Sequence, residues 1–201
     1  MSRRKSKQNL SRKPAIDHKY QSEVVGRMIN MLMMDGKRQL ACRIVYAAID
    51  RLVEVADKNS LIAAKSLGDG KELDDRETEG GDEGEGRVDS SQSVESIHAL
   101  SVLNTVLDIA GPELELVSKR LGGQNIQQPV PVRAKRRVCL ALRAIIRNAR
   151  DRVAQAKGMI NALSQEMIDV LKGHAKTLDQ KEQTLRMARA NAVFQGMRRG
   201  G

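Results

Sequence analysis

What most constrains this chain is how its apolar residues are spaced. In six separate stretches they recur at three and four residues, the repeat of one helix face, and in a single stretch, 113–133, the period drops to two. The first stretch begins after Ser22, a side chain suited to an N-cap, and carries Val25, Met28, Ile29, Leu32 and Met33. Gly36 is expected to end it at the C′ position, where a left-handed residue is favoured. The second, about 37–56, sets Leu40, Ile44, Ala47, Ala48, Leu52 and Val55 on one buried stripe. The third resumes near Ser93 with Ile97, Leu100, Leu103, Val106 and Leu107 on one face. It stops at Gly111-Pro112, because proline cannot continue a helix and glycine permits the turn. The fourth, fifth and sixth cover about 135–153, 156–172 and 178–195, with Gly173 ending the fifth.

Between the third and fourth helices, Glu113-Leu114-Glu115-Leu116 alternates polar and apolar as a strand does. Gly122-Gly123 interrupts it, and Ile126 to Val132 is again extended. Pro129 and Pro131 exclude a central strand but allow an edge. We read 113–133 as a β-hairpin arm. A lone two-stranded ribbon is marginal in water, so this one needs support from the helices or a partner that its bases can grip. The expected fold is mainly α. A six-helix, bundle-like domain covers 15–199, with a protruding two-stranded β-hairpin and a basic N-terminal arm at 1–14.

The formal net charge of +10 hides an asymmetry. Residues 67–95 hold 11 acids and 3 bases, a local charge of −8, so the rest of the chain carries +18. With six of the 16 glycines and no aromatic residue, this segment cannot bury enough apolar surface to offset its ordering entropy. It reads as a disordered insertion in the helical domain. It is either a solvated loop or an acidic arm that shields the basic surface or recruits a basic partner. Residues 1–13, by contrast, carry Arg3, Arg4, Lys5, Lys7, Arg12 and Lys13 and no acid, the composition of an extended arm that binds nucleic acid.

The fourth helix is the most informative element. At about 100° per residue, Arg136, Arg143, Arg147 and Arg150 share a narrow sector, opposite Val138, Leu142, Ile145 and Ala149. From Arg133 to Val153 the only acid is Asp151, against eight bases, Arg137 among them. A solvated helix face mixes signs, whereas a stripe of one sign is the electrostatic footprint of nucleic-acid binding. Lys119 and Arg120 precede Gly122-Gly123 in the hairpin, and Arg133 comes after its second strand. Asp35-Gly36-Lys37-Arg38 adds a basic corner between the first two helices. One Phe and two Tyr leave almost no stacking platform for bases, so recognition of phosphates and shape remains. That fits structured RNA and also DNA.

Enzymatic readings find little support. His18, His98 and His174 are scattered, and no P-loop, GxGxxG or GxSxG is present, so no catalytic residue, metal or cofactor is expected. Cys42 and Cys139 read as buried structural thiols of a reducing compartment. Met28, Met31, Met33 and Met34 read as core packing, and Tyr46 and Phe194 as core anchors. No apolar run approaches the roughly 18 residues of a membrane span, and no apolar segment comes after the basic start, so a soluble, non-secreted chain is expected.

In order along the chain stand Ser2-Arg3-Arg4-Lys5, Met33-Met34-Asp35-Gly36-Lys37-Arg38, Ile44-Val45-Tyr46-Ala47-Ala48 and Val117-Ser118-Lys119-Arg120-Leu121-Gly122-Gly123. Gln127, Pro129-Val130, Val132-Arg133, Arg136-Arg137, Leu140-Ala141-Leu142-Arg143, Ala149-Arg150 and Arg186-Met187-Ala188 continue in register, with Ala190-Asn191 and Phe194 closing the series. In this the chain resembles the universal small-subunit ribosomal protein number seven family. The resemblance implies six helices with a protruding hairpin, binding to small-subunit rRNA, and a part in nucleating assembly of the head. It further implies a place near the exit-site tRNA and the mRNA path, beside other ribosomal proteins. The implied RNA contacts are Arg3, Arg4, Lys5, Lys37, Arg38, the turn from Lys119 to Gly123, and the face of Arg136, Arg143 and Arg150. The chain departs from the family pattern where a Trp gives way to Ala144, a basic cluster to Asp179-Gln180-Lys181-Glu182, a His to Leu185, and an aromatic ending to Gln195-Gly196-Met197-Arg198-Arg199. A start without an added transit peptide favours a bacterial cytoplasmic ribosome, with an organellar ribosome as the alternative. The residues themselves leave open a free architectural DNA-binding protein using the same arginine row, and a helical adaptor working through the acidic arm.

Overall fold

The computed structural model describes residues 16–58, 90–121 and 123–192. The basic arm, most of the acidic segment, Gly122, Phe194 and the altered C-terminal residues lie outside them. The elements are α1 (Glu23–Leu32), α2 (Arg38–Lys58), α3 (Ser90–Ala110), β1 (Leu114–Leu121), β2 (Gln124–Pro131), α4 (Ala134–Ala156), α5 (Met159–Lys172) and α6 (Lys176–Ala190). Six helices and one antiparallel hairpin are thus present among the described residues, the mainly helical fold expected. No helix among them is long and apolar enough to cross a membrane.

The buried residues form one cluster. Helix α5 lies at its centre, packed against α4 and α2 and touching α3 and α6. Met28 and Ile29 of α1, Ile49 and Leu52 of α2, Leu103 of α3, Leu142 and Ile145 of α4, and Leu163 and Met167 of α5 are fully buried. At roughly 2 kcal/mol per buried aliphatic side chain, this shared core is what holds the helices together.

Some expectations need correction. The apolar spacing sets Leu40 and Ile97 on buried stripes, yet they are 55% and 66% exposed. Leu40 lies in the first turn of α2, where it lines an open surface cleft with Met34 and Met159, and Ile97 lies in the N-terminal half of α3. Met28 is buried and Met31 and Met33 are partly buried, but Met34 is 65% exposed. Both cysteines are half-buried rather than buried, and Cys139 Sγ accepts a contact from the Arg27 guanidinium at 3.5 Å. Tyr46 is half-buried, its hydroxyl donating to buried Asp17 at 2.5 Å. Helix α1 ends at Leu32, so Gly36 (φ +72°) sits in the next turn and not at C′. Ser22 holds the N-cap position without a side-chain bond. Helix α3 starts at Ser90, so the last six residues of the acidic segment are helical.

Gly111 serves a different purpose from the one its place before Pro112 suggests. Its φ is not left-handed. A Cβ there would stand 2.6 Å from Arg137 Cγ, 2.7 Å from Arg137 Nε and 3.0 Å from the Leu107 carbonyl. Arg137 cannot swing away freely, because it donates to the Asp108 carbonyl at 3.0 Å. Gly111→Ala is therefore expected to lose about 2 kcal/mol, the scale of an overpacked contact. That corresponds to roughly 5 °C in the thermal midpoint for a domain of this size. A variant melting with the parent would show that Arg137 yields without cost.

Candidate nucleic-acid interface

The hairpin is built as a projecting arm with a braced base. Its register runs from Leu114↔Pro131 to Leu121↔Gln124, leaving a two-residue tip. Gly123 in that tip has φ +89°, where a side chain would be strained. Both strands are edges, so β2 tolerates its prolines. Helix α6 packs against β1, and Val132 N donates to the Glu113 carbonyl at 2.9 Å, which closes the base. The second brace is electrostatic: Arg136 of α4 grips Glu115 of β1 through two hydrogen bonds, at 2.7 and 3.2 Å. That grip holds the Glu115 carboxyl below the usual carboxylate range, with the charge of Arg143 adding to it.

The bases of α4 divide into two groups. Arg136 is tied to Glu115. Arg150 donates to the carbonyls of Met31 and Leu32 at 3.1 and 3.3 Å, satisfying the last turn of α1 and placing a cation at its negative end. Arg137 is half-buried and turned to the C-terminal end of α3. Arg143 and Arg147 are exposed and make no hydrogen bond or ion pair among the described residues. Asp151 lines a cleft with them but is paired with Lys176 at 3.1 Å, so two cations one helical turn apart are left without a direct ion pair, as a phosphate backbone can use.

Surface clefts connect these groups. Lys37 and Arg150 line one cleft of about 480 Å³ beside Met34 and Leu40. Arg150, Arg147 and Arg143 line the next, about 320 Å³, between α1 and α4. Arg143 and Arg147 then form the ridge between that cleft and a third of about 290 Å³, whose far side carries Lys181 of α6. The corner at Lys37 is thereby joined to the arginine row and, through Arg136 and Glu115, to the base of the hairpin. Arg38 begins α2 beside Lys37 and is exposed, and Arg133 is exposed at the N-cap of α4. Lys119 and Arg120 stand apart from this row. At about 3.3 Å per residue they lie roughly 13–17 Å further out along β1 than Glu115. Arg3, Arg4, Lys5, Lys7 and Gly122 lie outside the described residues. Sequence reasoning passed over Lys181, which the charge of its neighbours hides, and the clamp on Arg136, for which the strand alternation of Glu115 was the available signal.

One further cleft is different in character. Asp50, Glu54, Asp57 and Glu95 line a cleft between α2 and α3, with Lys19 and His98 bonded to Asp50 and Asp57. Among the described residues no group of three or more His, Cys, Asp or Glu is arranged to hold a metal ion.

Residues 2–192 match the family model described as Ribosomal protein S7p/S5e. The chain belongs to the ribosomal protein S7p/S5e family. Curated relatives agree over nearly their whole length. The chain is 31% identical over 194 residues to a small ribosomal subunit protein uS7 of Methylococcus capsulatus, covering 96% of this chain and 97% of the relative. It is 32% identical over 178 residues to the protein of the same name in Stenotrophomonas maltophilia, covering 89% and 88%, and 31% identical over 194 residues to that of Salinibacter ruber, covering 96% and 97%. Family membership thus rests on the whole chain, and the resemblance carried by the hairpin and the arginine helix is a part of it.

Proposed function

We propose that this protein is a non-enzymatic component of the small ribosomal subunit, where it binds small-subunit rRNA and helps to nucleate assembly of the head. The reading places it in a bacterial-type ribosome in the cytoplasm, near the exit-site tRNA and the mRNA path and beside other ribosomal proteins. The observation that supports it best is the row of connected clefts from Lys37 through Arg150, Arg147 and Arg143, carried on an S7p/S5e scaffold. Its work is to neutralise phosphates and brace one RNA fold. The hairpin tip with Lys119, Arg120, Gly122 and Gly123, together with Arg133 and the basic arm, extends the contact beyond the helices. A solvated role for this face is the weaker reading, because uncompensated like charges destabilise a helix unless a polyanion meets them.

Competition between a folded rRNA head fragment and duplex DNA of equal charge tests the reading. The protein is expected to stay on the rRNA fragment and to sediment with small subunits at high salt. Preference for the duplex would turn the same face into that of an architectural DNA-binding protein and overturn the ribosomal role.

A further inference from the structure

The third cleft, between α4 and α6, has a lining that phosphate binding alone does not explain. Ala110, Pro112, Leu140 and Ala144 give it an apolar patch, and Thr177, Gln180 and Thr184 of α6 add polar groups. One rim is the ridge of Arg143 and Arg147, neither in a hydrogen bond or ion pair among the described residues. The far wall carries Lys181, whose Nζ donates to the Ile109 carbonyl at 2.7 Å and has no ion-pair partner among the described residues. An ammonium has three donors, so two remain. Partly buried charges normally have a counter-charge. Here burial pushes the Lys181 ammonium below its ordinary range, Arg137 acts in the same direction, and only Glu113 opposes.

A matching ligand has negative charge for the arginine rim, acceptors for Lys181 and a flat apolar body for the apolar patch. A nucleotide has all three. A chain almost without aromatic rings still has the other surface on which unstacked bases are held, the guanidinium plane. We propose that this cleft is a subsite for one unstacked nucleotide of the bound RNA, with its phosphate on one arginine of the Arg143/Arg147 ridge and its base over Ala144, stacked on the guanidinium of the other and within reach of Lys181. The proposal rests on the rRNA-binding reading and adds to it a place where a single base is removed from the stack.

Ala144→Leu adds three carbons to the apolar patch and removes no charge. The full-length variant is expected to bind the rRNA head fragment about tenfold more weakly, the scale of losing one stacked base. Its salt slope should be unchanged, since the phosphate contacts remain. Affinity within twofold of the parent would overturn the subsite. Ultraviolet crosslinking of the unaltered protein to the same fragment, read by mass spectrometry, gives a second measure that does not depend on the variant folding. Nucleotide adducts are expected within residues 140–147 or 177–184. Adducts confined to the hairpin or to the corner at Lys37, with binding intact, would sink the cleft alone. Failure of the unaltered protein to bind the fragment would sink the rRNA reading and the cleft with it.

Discussion

Replacing Glu166 with alanine is expected to lower stability by about 3 kcal/mol, the low end of the range for removing one member of a buried charged pair. Glu166 of α5 is fully buried. Its Oε1 accepts from the Thr177 backbone N–H at 3.2 Å and from the Thr177 hydroxyl at 2.7 Å. Thr177 lies in the first turn of α6, and the N-cap there, Ala175, has no side chain able to cap. The carboxylate of one helix therefore caps the next, taking one of the orphan donors and meeting the positive end of the dipole. Asn148 of α4 donates to the same threonine hydroxyl at 2.9 Å, so three helices meet at this point. The charge of Glu166 is balanced by Arg152 at 3.5 Å from Oε2, an ion-pair distance too long for a good hydrogen bond, and Oε2 has no other partner. Arg152 is partly exposed and keeps Asp169 at 2.6 Å, so the loss stays below the upper end of the range. Glu166→Gln keeps an acceptor for Thr177 and is expected to lose about half as much. Denaturant unfolding gives both numbers, and amide exchange at Thr177 should quicken in the alanine variant. A midpoint within about 1 kcal/mol of the parent would mean that α6 does not depend on this cap.

The six apolar stretches were legible because a core of packed helices imposes the three-and-four repeat on every sequence that builds it. The hairpin was legible because Glu115 and the residues around it keep a period of two, and the prolines of β2 rule out burial between strands. Exposure at Leu40 and Ile97 was not legible, since a stripe shows which side of a helix faces inward but not which of its positions the neighbours cover. The start of α3 was hidden by composition: Ser90 to Glu95 continue the polar character of the acid- and glycine-rich run before them. The arginine row was legible from angular spacing alone. Its division was not, because the partners that engage Arg136 and Arg150 come from β1 and from the end of α1, and that of Arg137 from the end of α3. Those contacts span 21, 118 and 29 residues of sequence. Spacing within one helix contains no information about them. Lys181 was hidden for a related reason. On the chain it stands among Asp179, Gln180 and Glu182, a mixture that reads as ordinary solvated helix, and only the fold turns it toward the arginines.

That division of the arginines decides which substitutions report on RNA. Arg143→Ala with Arg147→Ala removes two cations that make no hydrogen bond or ion pair within the described protein, so helicity and unfolding midpoint should stay within about 0.5 kcal/mol of the parent. The slope of log affinity against log salt should become shallower by roughly 1.4–1.8, at 0.7–0.9 per phosphate for single strands and duplexes. If parent and variant converge near 1 M salt, the upper figure amounts to a loss of roughly 30-fold at 0.15 M. Arg150→Ala should behave differently. It leaves the Met31 and Leu32 carbonyls without their donor, so about 1 kcal/mol of stability is lost whether or not RNA is present. Arg136→Ala breaks a largely exposed pair and is expected to lose less than about 1 kcal/mol of stability. Its effect on binding should come through loosening of the hairpin base. A combined variant at 136, 143 and 150 would therefore mix unfolding with lost contacts. The double change at 143 and 147 does not, and an unchanged salt slope in it would place the RNA on another face of the molecule.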